Sequence, residues 1–288
     1  MDPSVKARWI RAAAALAALA FAAGATAALL TAKTVKLDES VPSEALAAKV
    51  HARVILPAGY RTSGLRYPVV YFLHGLPASG ASYRERGWVE SALEAAGPAI
   101  LVEPQGARPG DTDPEYLNWG AGRGWETFVS EELVHYVDAH FRTIRSRRAR
   151  AIVGLSAGGY GATILGLHHL GSFSVIESWS GYFHPTDPTG TQSLARGSAA
   201  ANAKASVHDL IADDVHAGRL PTFFGFYVGR GDTRFRAENV QLDRELDRAR
   251  VRHMFAVYAG GHTTALWQAH AASWLGMALN HLAQPRTP

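Results

Sequence analysis

The stretch Gly154-Leu155-Ser156-Ala157-Gly158 constrains this chain more than any other. It follows the apolar run Ala151-Ile152-Val153 and leads into a small-residue, helix-compatible segment from Ala157 to Leu170. A buried strand turning sharply into a helix, with serine at the apex, is the setting of a nucleophile elbow, which holds a serine hydroxyl exposed on a strained turn. Gly154 and Gly158 leave room for strand and helix to approach, since a Cβ at either place would crowd the turn. Gly159 and Gly161 extend that small surface. The competing reading is a glycine-rich packing turn with an incidental serine. The rest of the chain has to decide between them.

Signals before and after the turn alternate between strand and helix. Val50 to Leu56 reads as a strand at a sheet edge, and Tyr67 to Leu73 as a buried strand. Ser82 to Ala96 reads as a helix ended by Gly97-Pro98, and Ala99 to Val102 as a short strand. Gly106 to Gly124 is a long loop. In Trp125 to Phe141 the residues Val129, Leu133, Tyr136, Val137 and His140 share one helical face. Further strands are expected at Arg150–Leu155, Phe173–Trp179, Pro221–Val228 and His253–Tyr258. Helices follow at Arg236–Arg250 and Thr264–Ala283. Strands separated by helices predict an α/β fold, a mostly parallel central sheet with helices on both faces. The polar stretch from His184 to Ser206 is either a pocket insert or a plain surface excursion.

Composition limits the options. The 288 residues are 47% hydrophobic and 19% charged, which suits an ordinary globular protein. No cysteine is present, so disulfides, thiolate catalysis and cysteine metal sites are excluded. Net charge is +4, with Arg142, Arg145, Arg147, Arg148 and Arg150 in one patch. That patch reads as a solvated loop face, or as a contact for an anionic surface. No nucleic-acid motif accompanies it. Lys6, Arg8 and Arg11 precede a charge-free run from Ala12 to Ala32, with Ala25-Thr26-Ala27 as a small-x-small cleavage site. Residues 1–35 are therefore expected to be a signal peptide or a membrane anchor, which places the chain outside the cytoplasm, secreted or held at the outer face of the membrane. Residues 36–48 read as a linker and 49–288 as one catalytic domain.

A serine hydroxyl needs a base in hydrogen-bond reach, and the base needs an orienting acid. In an elbow fold both come later, acid before histidine, each on a loop after a strand. Of the 13 histidines, His262 fits: Ala259-Gly260-Gly261 follows the last strand and frees the ring to turn back over the sheet edge. A turn or capping role is its alternative. Asp232 follows Gly229-Arg230-Gly231 after the preceding strand, with Glu238 as a substitute and helix N-capping as the other role for the aspartate. An oxyanion needs two backbone donors. Ala157 should supply one and Leu76, in His74-Gly75-Leu76-Pro77, the other, because Pro77 has no N–H. His74 itself suits a structural hydrogen bond. No metal constellation, Walker pattern or dinucleotide pattern is present, so no cofactor is assigned. Trp119, Trp125, Trp179, Tyr182 and Trp267 are core or pocket wall.

With these residues placed, the chain resembles the esterase D, feruloyl esterase and antigen 85 mycolyltransferase branch of the α/β-hydrolases. The resemblance runs from about Ala52 to Leu282, through VVYFLHGLPASG, WETFVSEELVHYVDAHFRT, RARAIVGLSAGGYGATILGLHH, SWSG, YVGRGD and YAGGHTTALWQAHAASWL. It implies Ser156 as nucleophile, Asp232 as acid, His262 as base, and donors at Leu76 and Ala157. It implies a serine carboxylesterase acting on a small-molecule, lipid or aryl ester. The alternatives are an acyltransferase that uses a sugar or glycerol hydroxyl, and a non-catalytic binding protein on the same scaffold. Thr263 and Thr264 stand where the family often has an acidic or aromatic residue. The missing cysteine and the N-terminal segment argue against a cytosolic formylglutathione hydrolase.

Overall fold

Three adjacent strands in the middle of the sheet are buried on both faces. In the computed structural model, which describes residues 33–84, 87–111, 115–187, 192–213 and 220–288, these are β3 (Val69–Leu73), β5 (Arg150–Leu155) and β6 (Val175–Trp179). Every residue of all three is buried. The others are β1 (Val35–Ser43), β2 (Ala48–Leu56), β4 (Ile100–Pro104), β7 (Phe223–Gly229) and β8 (His253–Tyr258). They join in the order β1-β2-β4-β3-β5-β6-β7-β8. The pairs β1/β2 and β2/β4 are antiparallel, and every later pair is parallel. This is the expected α/β-hydrolase architecture.

Helices cover both faces, as a buried parallel sheet requires. On one side lie α1 (Gly87–Ala96) and α7 (Thr264–Asn280), over Phe72, Val153, Trp179 and Tyr227. On the other lie α2 (residues 125–140), α3 (Ala157–His168) and α6 (Arg236–Arg248), over Tyr71, Ile152, Ile176 and Phe224. Within α2 the residues Phe128–Glu132 form a π-helical turn. Among the described residues, the segment between β6 and β7 carries two short helices, α4 (Ala199–Lys204) and α5 (Val207–Asp213). Tyr160 of α3 donates to Ala205 O at 2.7 Å and so pins that segment to the domain.

Three expectations change. Residues 36–48 are no linker: most of them form β1 and its turn into β2. Val35, Leu37 and Val41 alternate with polar residues, and the inward set packs on the core. β2 is consequently the second strand rather than the edge. The arginine patch is a solvated face only in part: Arg145 and Arg148 are exposed, while Arg142, Arg147 and Arg150 turn into the fold. Arg147 donates to Leu170 O, Phe173 O and Pro221 O, and Arg145 to Asp138 O. Arg142 donates to Leu65 O, and Arg150 is buried against Asp138. These guanidinium groups close carbonyls that the loops leave open, which a planar fork of donors does well. The expected export segment lies outside the described residues up to position 32; among the described residues no helix is long and apolar enough to cross a membrane.

Candidate active site

Parallel strands deliver their following loops to one edge of the sheet, where α/β proteins bind ligands. Here the loops after β3, β5, β6, β7 and β8 converge. Ser156 takes φ 54° and ψ −123°, a conformation costly for a non-glycine residue and kept where the surroundings enforce it. They do so tightly. Ser156 N donates to Trp179 O at 2.9 Å, and Ser156 O accepts from Gly159 N at 2.8 Å. A Cβ on Gly154 would stand 2.1 Å from Gly158 O, and one on Gly158 2.0 Å from Leu73 O. The turn is an elbow, and the incidental-serine reading fails on this geometry.

The base arrives from β8. Gly260, at φ 124°, bends the chain, and His262 Nε2 comes to 2.9 Å from Ser156 Oγ. Its Nδ1 lies 2.7 Å from Asp232 Oδ2, and the aspartate side chain is fully buried. Asp232 does not N-cap α6, whose N-cap position is Phe235; its Oδ1 instead accepts from the amides of Arg234 and Phe235, each at 3.3 Å, in the turn before that helix. Glu238 does not substitute. It accepts from Phe183 N at 2.8 Å and pairs with His184 and His208 instead. Burial would raise its pKa, but those histidines outweigh burial and hold it down at about 2. Thr263, a departure from the family pattern, caps α7 by accepting from Leu266 N.

The oxyanion side is built from the loop after β3. A Cβ on Gly75 would stand 2.9 Å from Ser156 Cβ, so this loop lies directly against the nucleophile. Leu76 follows on the loop, and Ala157 opens α3, whose N-terminal amides favour negative charge. His74 has the structural role expected of it: its Nε2 is 2.7 Å from Gln105 O and its Nδ1 3.0 Å from Gly75 O. Tyr116 donates to His74 O at 2.8 Å.

Two aromatic neighbours of the base complete the site. Trp267 meets the His262 ring edge-on at 5.0 Å, and Phe235 lies 5.1 Å away. Tyr182 packs on Phe235 at 4.9 Å, while its hydroxyl donates to Glu115. Of the tryptophans flagged in the sequence, Trp125 and Trp179 belong to the core. Phe235 was not foreseen; its only sequence signal is its place three residues after Asp232.

Fold and site define an α/β-hydrolase with an assembled serine, histidine and aspartate constellation at the carboxyl end of its sheet. Comparison with known proteins takes the assignment one step further. Residues 43–274 match the family model described as "Putative esterase", and the chain belongs to that esterase family. It is 36% identical over 129 residues to Esterase Rv1288 of Mycobacterium tuberculosis, spanning 44% of this chain but 28% of that protein's length. Among solved structures it is similar to a ferulic acid esterase, with TM-score 0.72 and 24% identity over 87% of this chain and 98% of the other. It is also similar to the fluorophosphonate-binding serine hydrolase FphF of Staphylococcus aureus, with TM-score 0.69 and 19% identity over 85% of this chain and 98% of the other.

Proposed function

We propose that this protein is an exported serine carboxylesterase that hydrolyses small-molecule carboxylic esters through an acyl-enzyme. One observation carries the reading: Ser156 Oγ, both nitrogens of His262 and the Asp232 carboxylate form a continuous hydrogen-bonded line, with links of 2.9 and 2.7 Å. Ser156 attacks the ester carbonyl while His262 Nε2 takes the hydroxyl proton. Asp232 fixes the tautomer and stabilises the imidazolium. The amides of Leu76 and Ala157 receive the oxyanion. His262 then protonates the leaving alcohol, and a water activated by the same nitrogen releases the acid and regenerates Ser156. Export rests on the basic and apolar N-terminal run and is tested by fractionating cells that produce the full chain.

The deciding experiment is turnover of p-nitrophenyl esters by the wild type and Ser156→Ala. The variant should lose roughly three orders of magnitude or more. Wild-type rates in a folded Ser156→Ala protein would end the proposal. A fluorophosphonate probe separates the enzyme from a binding protein on the same scaffold: labelling of the wild type but not of Ser156→Ala supports the enzyme. Product analysis with sugar and glycerol acceptors separates hydrolysis from acyl transfer.

A further inference from the structure

The two edges of the sheet are finished differently. An edge strand offers unpaired amides and carbonyls to any other strand, and proteins blunt such edges with charges or proline. β1 is blunted: Val-Lys-Leu-Asp-Glu-Ser-Val-Pro-Ser carries Lys36, Asp38, Glu39 and Pro42. β8, at the other edge, reads His-Met-Phe-Ala-Val-Tyr, with no acidic residue, lysine, arginine, proline or glycine. Met254 and Val257 are among the few large hydrophobic residues left exposed, at 38% and 36%.

The direction of the free backbone groups follows from one bond. Tyr258 O accepts from Arg230 N at 2.7 Å, on the β7 side. Backbone groups alternate along a strand, so those of Met254 and Ala256 also face β7. Those of His253, Phe255 and Val257 face outward. Among the described residues no backbone hydrogen bond from outside the sheet reaches them.

We propose that β8 pairs antiparallel with β8 of a second copy of this chain about a two-fold axis at Phe255, joining two sheets of eight strands into one of sixteen. Antiparallel partners directly opposite each other point their side chains to the same face, so the register must match residues of equal parity. Centring on Phe255 sets His253 opposite Val257 and Met254 opposite Ala256, and every facing pair is uncharged. The three outward residues of each copy then exchange about six hydrogen bonds. The flanking helices permit the approach. Beside the edge, α7 exposes the small residues Ala265, Ala269 and Ala272, with Gln268 as the one long, flexible and uncharged side chain among them. On the other face α6 presents charges of both signs, Arg244 and Asp247 among them, and a two-fold axis can bring opposite charges together. A second copy suits this edge better than a foreign strand, because the match is built into one short sequence.

Sedimentation equilibrium of the full chain, in a density-matched nonionic detergent that keeps the N-terminal run in solution, should give twice 30.9 kDa. Val257→Pro removes an outward N–H that β7 does not use, a place where an edge strand tolerates proline. Val257→Lys adds a charge there. Both should be monomers with unchanged far-UV circular dichroism, whereas Ser40→Lys on β1 should remain a dimer. Because the chain has no cysteine, Phe255→Cys places a lone thiol at the axis. Hydrogen-bonded antiparallel partners stand about 5.5 Å apart at Cα, within reach of a short bis-maleimide. That reagent should therefore cross-link Phe255→Cys and leave Ser40→Cys single. A monomeric wild type at about 100 µM, a dimer indifferent to both Val257 substitutions, or open-ended oligomers would each overturn the pairing; none of these readouts depends on esterase activity.

Discussion

Gly229 lies so close to Gly260 that a Cβ on the first would stand 2.6 Å from the carbonyl oxygen of the second. The loop carrying the acid and the loop carrying the base are thus in backbone contact. Gly231 N donates to Gly260 O at 2.7 Å and locks the two together. Gly229→Ala should push them apart by a few tenths of an ångström or more and lengthen the Asp232–His262 bond. The expected result is a fall of about 100-fold or more in kcat/KM. Steady-state kinetics beside a urea titration will check it; a loss of stability with full activity would show that the contact serves folding alone.

Asp232 divides its two oxygens between His262 and the amides that lead into α6. Two substitutions separate these jobs. Asp232→Asn keeps an acceptor for the amides but offers His262 the wrong hydrogen-bond partner, and kcat should fall by about 10⁴. Asp232→Ala removes both, and should add about 1 kcal/mol of destabilisation to a similar kinetic loss. Equal denaturation midpoints for the two variants would contradict the division.

The clasp of Glu238 with His184 and His208 should give stability a pH optimum. Burial opposes both charges, yet the partners win: Glu238 is held at about 2, and His208 is raised above the usual histidine value by Glu238 and Glu245. A carboxyl depressed in the folded state loses its contribution as pH falls below the ordinary value near 4.5 towards 2. A histidine raised in the folded state contributes fully below its ordinary value near 6.5 and loses that contribution as pH rises through its folded pKa. Their joint contribution is therefore greatest between those ordinary values. Thermal melts across pH should show Glu238→Gln flattening the acid flank and only softening the alkaline one, where Glu245 still holds His208, with about 2–4 °C in Tm for each kcal/mol lost. Parallel profiles for variant and wild type would refute it.

Arg147 gathers carbonyls from two separate stretches, Leu170 and Phe173 before β6 and Pro221 before β7, and also donates to Thr222 Oγ1 at 3.1 Å. Arg147→Ala leaves them without that partner and should cost about 1–3 kcal/mol in a chemical denaturation curve. Arg148→Ala, one residue on and exposed, is the control and should stay within about 0.5 kcal/mol of wild type.

The sequence announced the candidate catalytic residues because each is marked locally: a buried strand ends, glycines turn the chain, and an ionisable or nucleophilic side chain follows. Ser156, Asp232 and His262 all carry that signature, so their order alone brought them to one edge. β1 carried no such mark. An edge strand that alternates Lys36, Asp38 and Ser40 with apolar residues has the composition of a linker, and only its pairing with β2 distinguishes it. Arg142 and Arg147 lack a local mark for a related reason. Their partners are carbonyls, which every residue has, and for Arg147 they lie more than 20 residues away. Phe235 escaped because an aromatic residue near a helix start looks the same whether it faces core or catalytic base.

The acid and base sit on the last two strands to be made, while the serine they serve is complete some hundred residues earlier. A chain synthesised from its N-terminus therefore carries an inert hydroxyl until β7 and β8 have both been added to the sheet. A product cut short between residues 158 and 262 contains the elbow sequence and lacks the means to use it. Turnover thus reports that β7, β8 and the loops after them have joined the sheet.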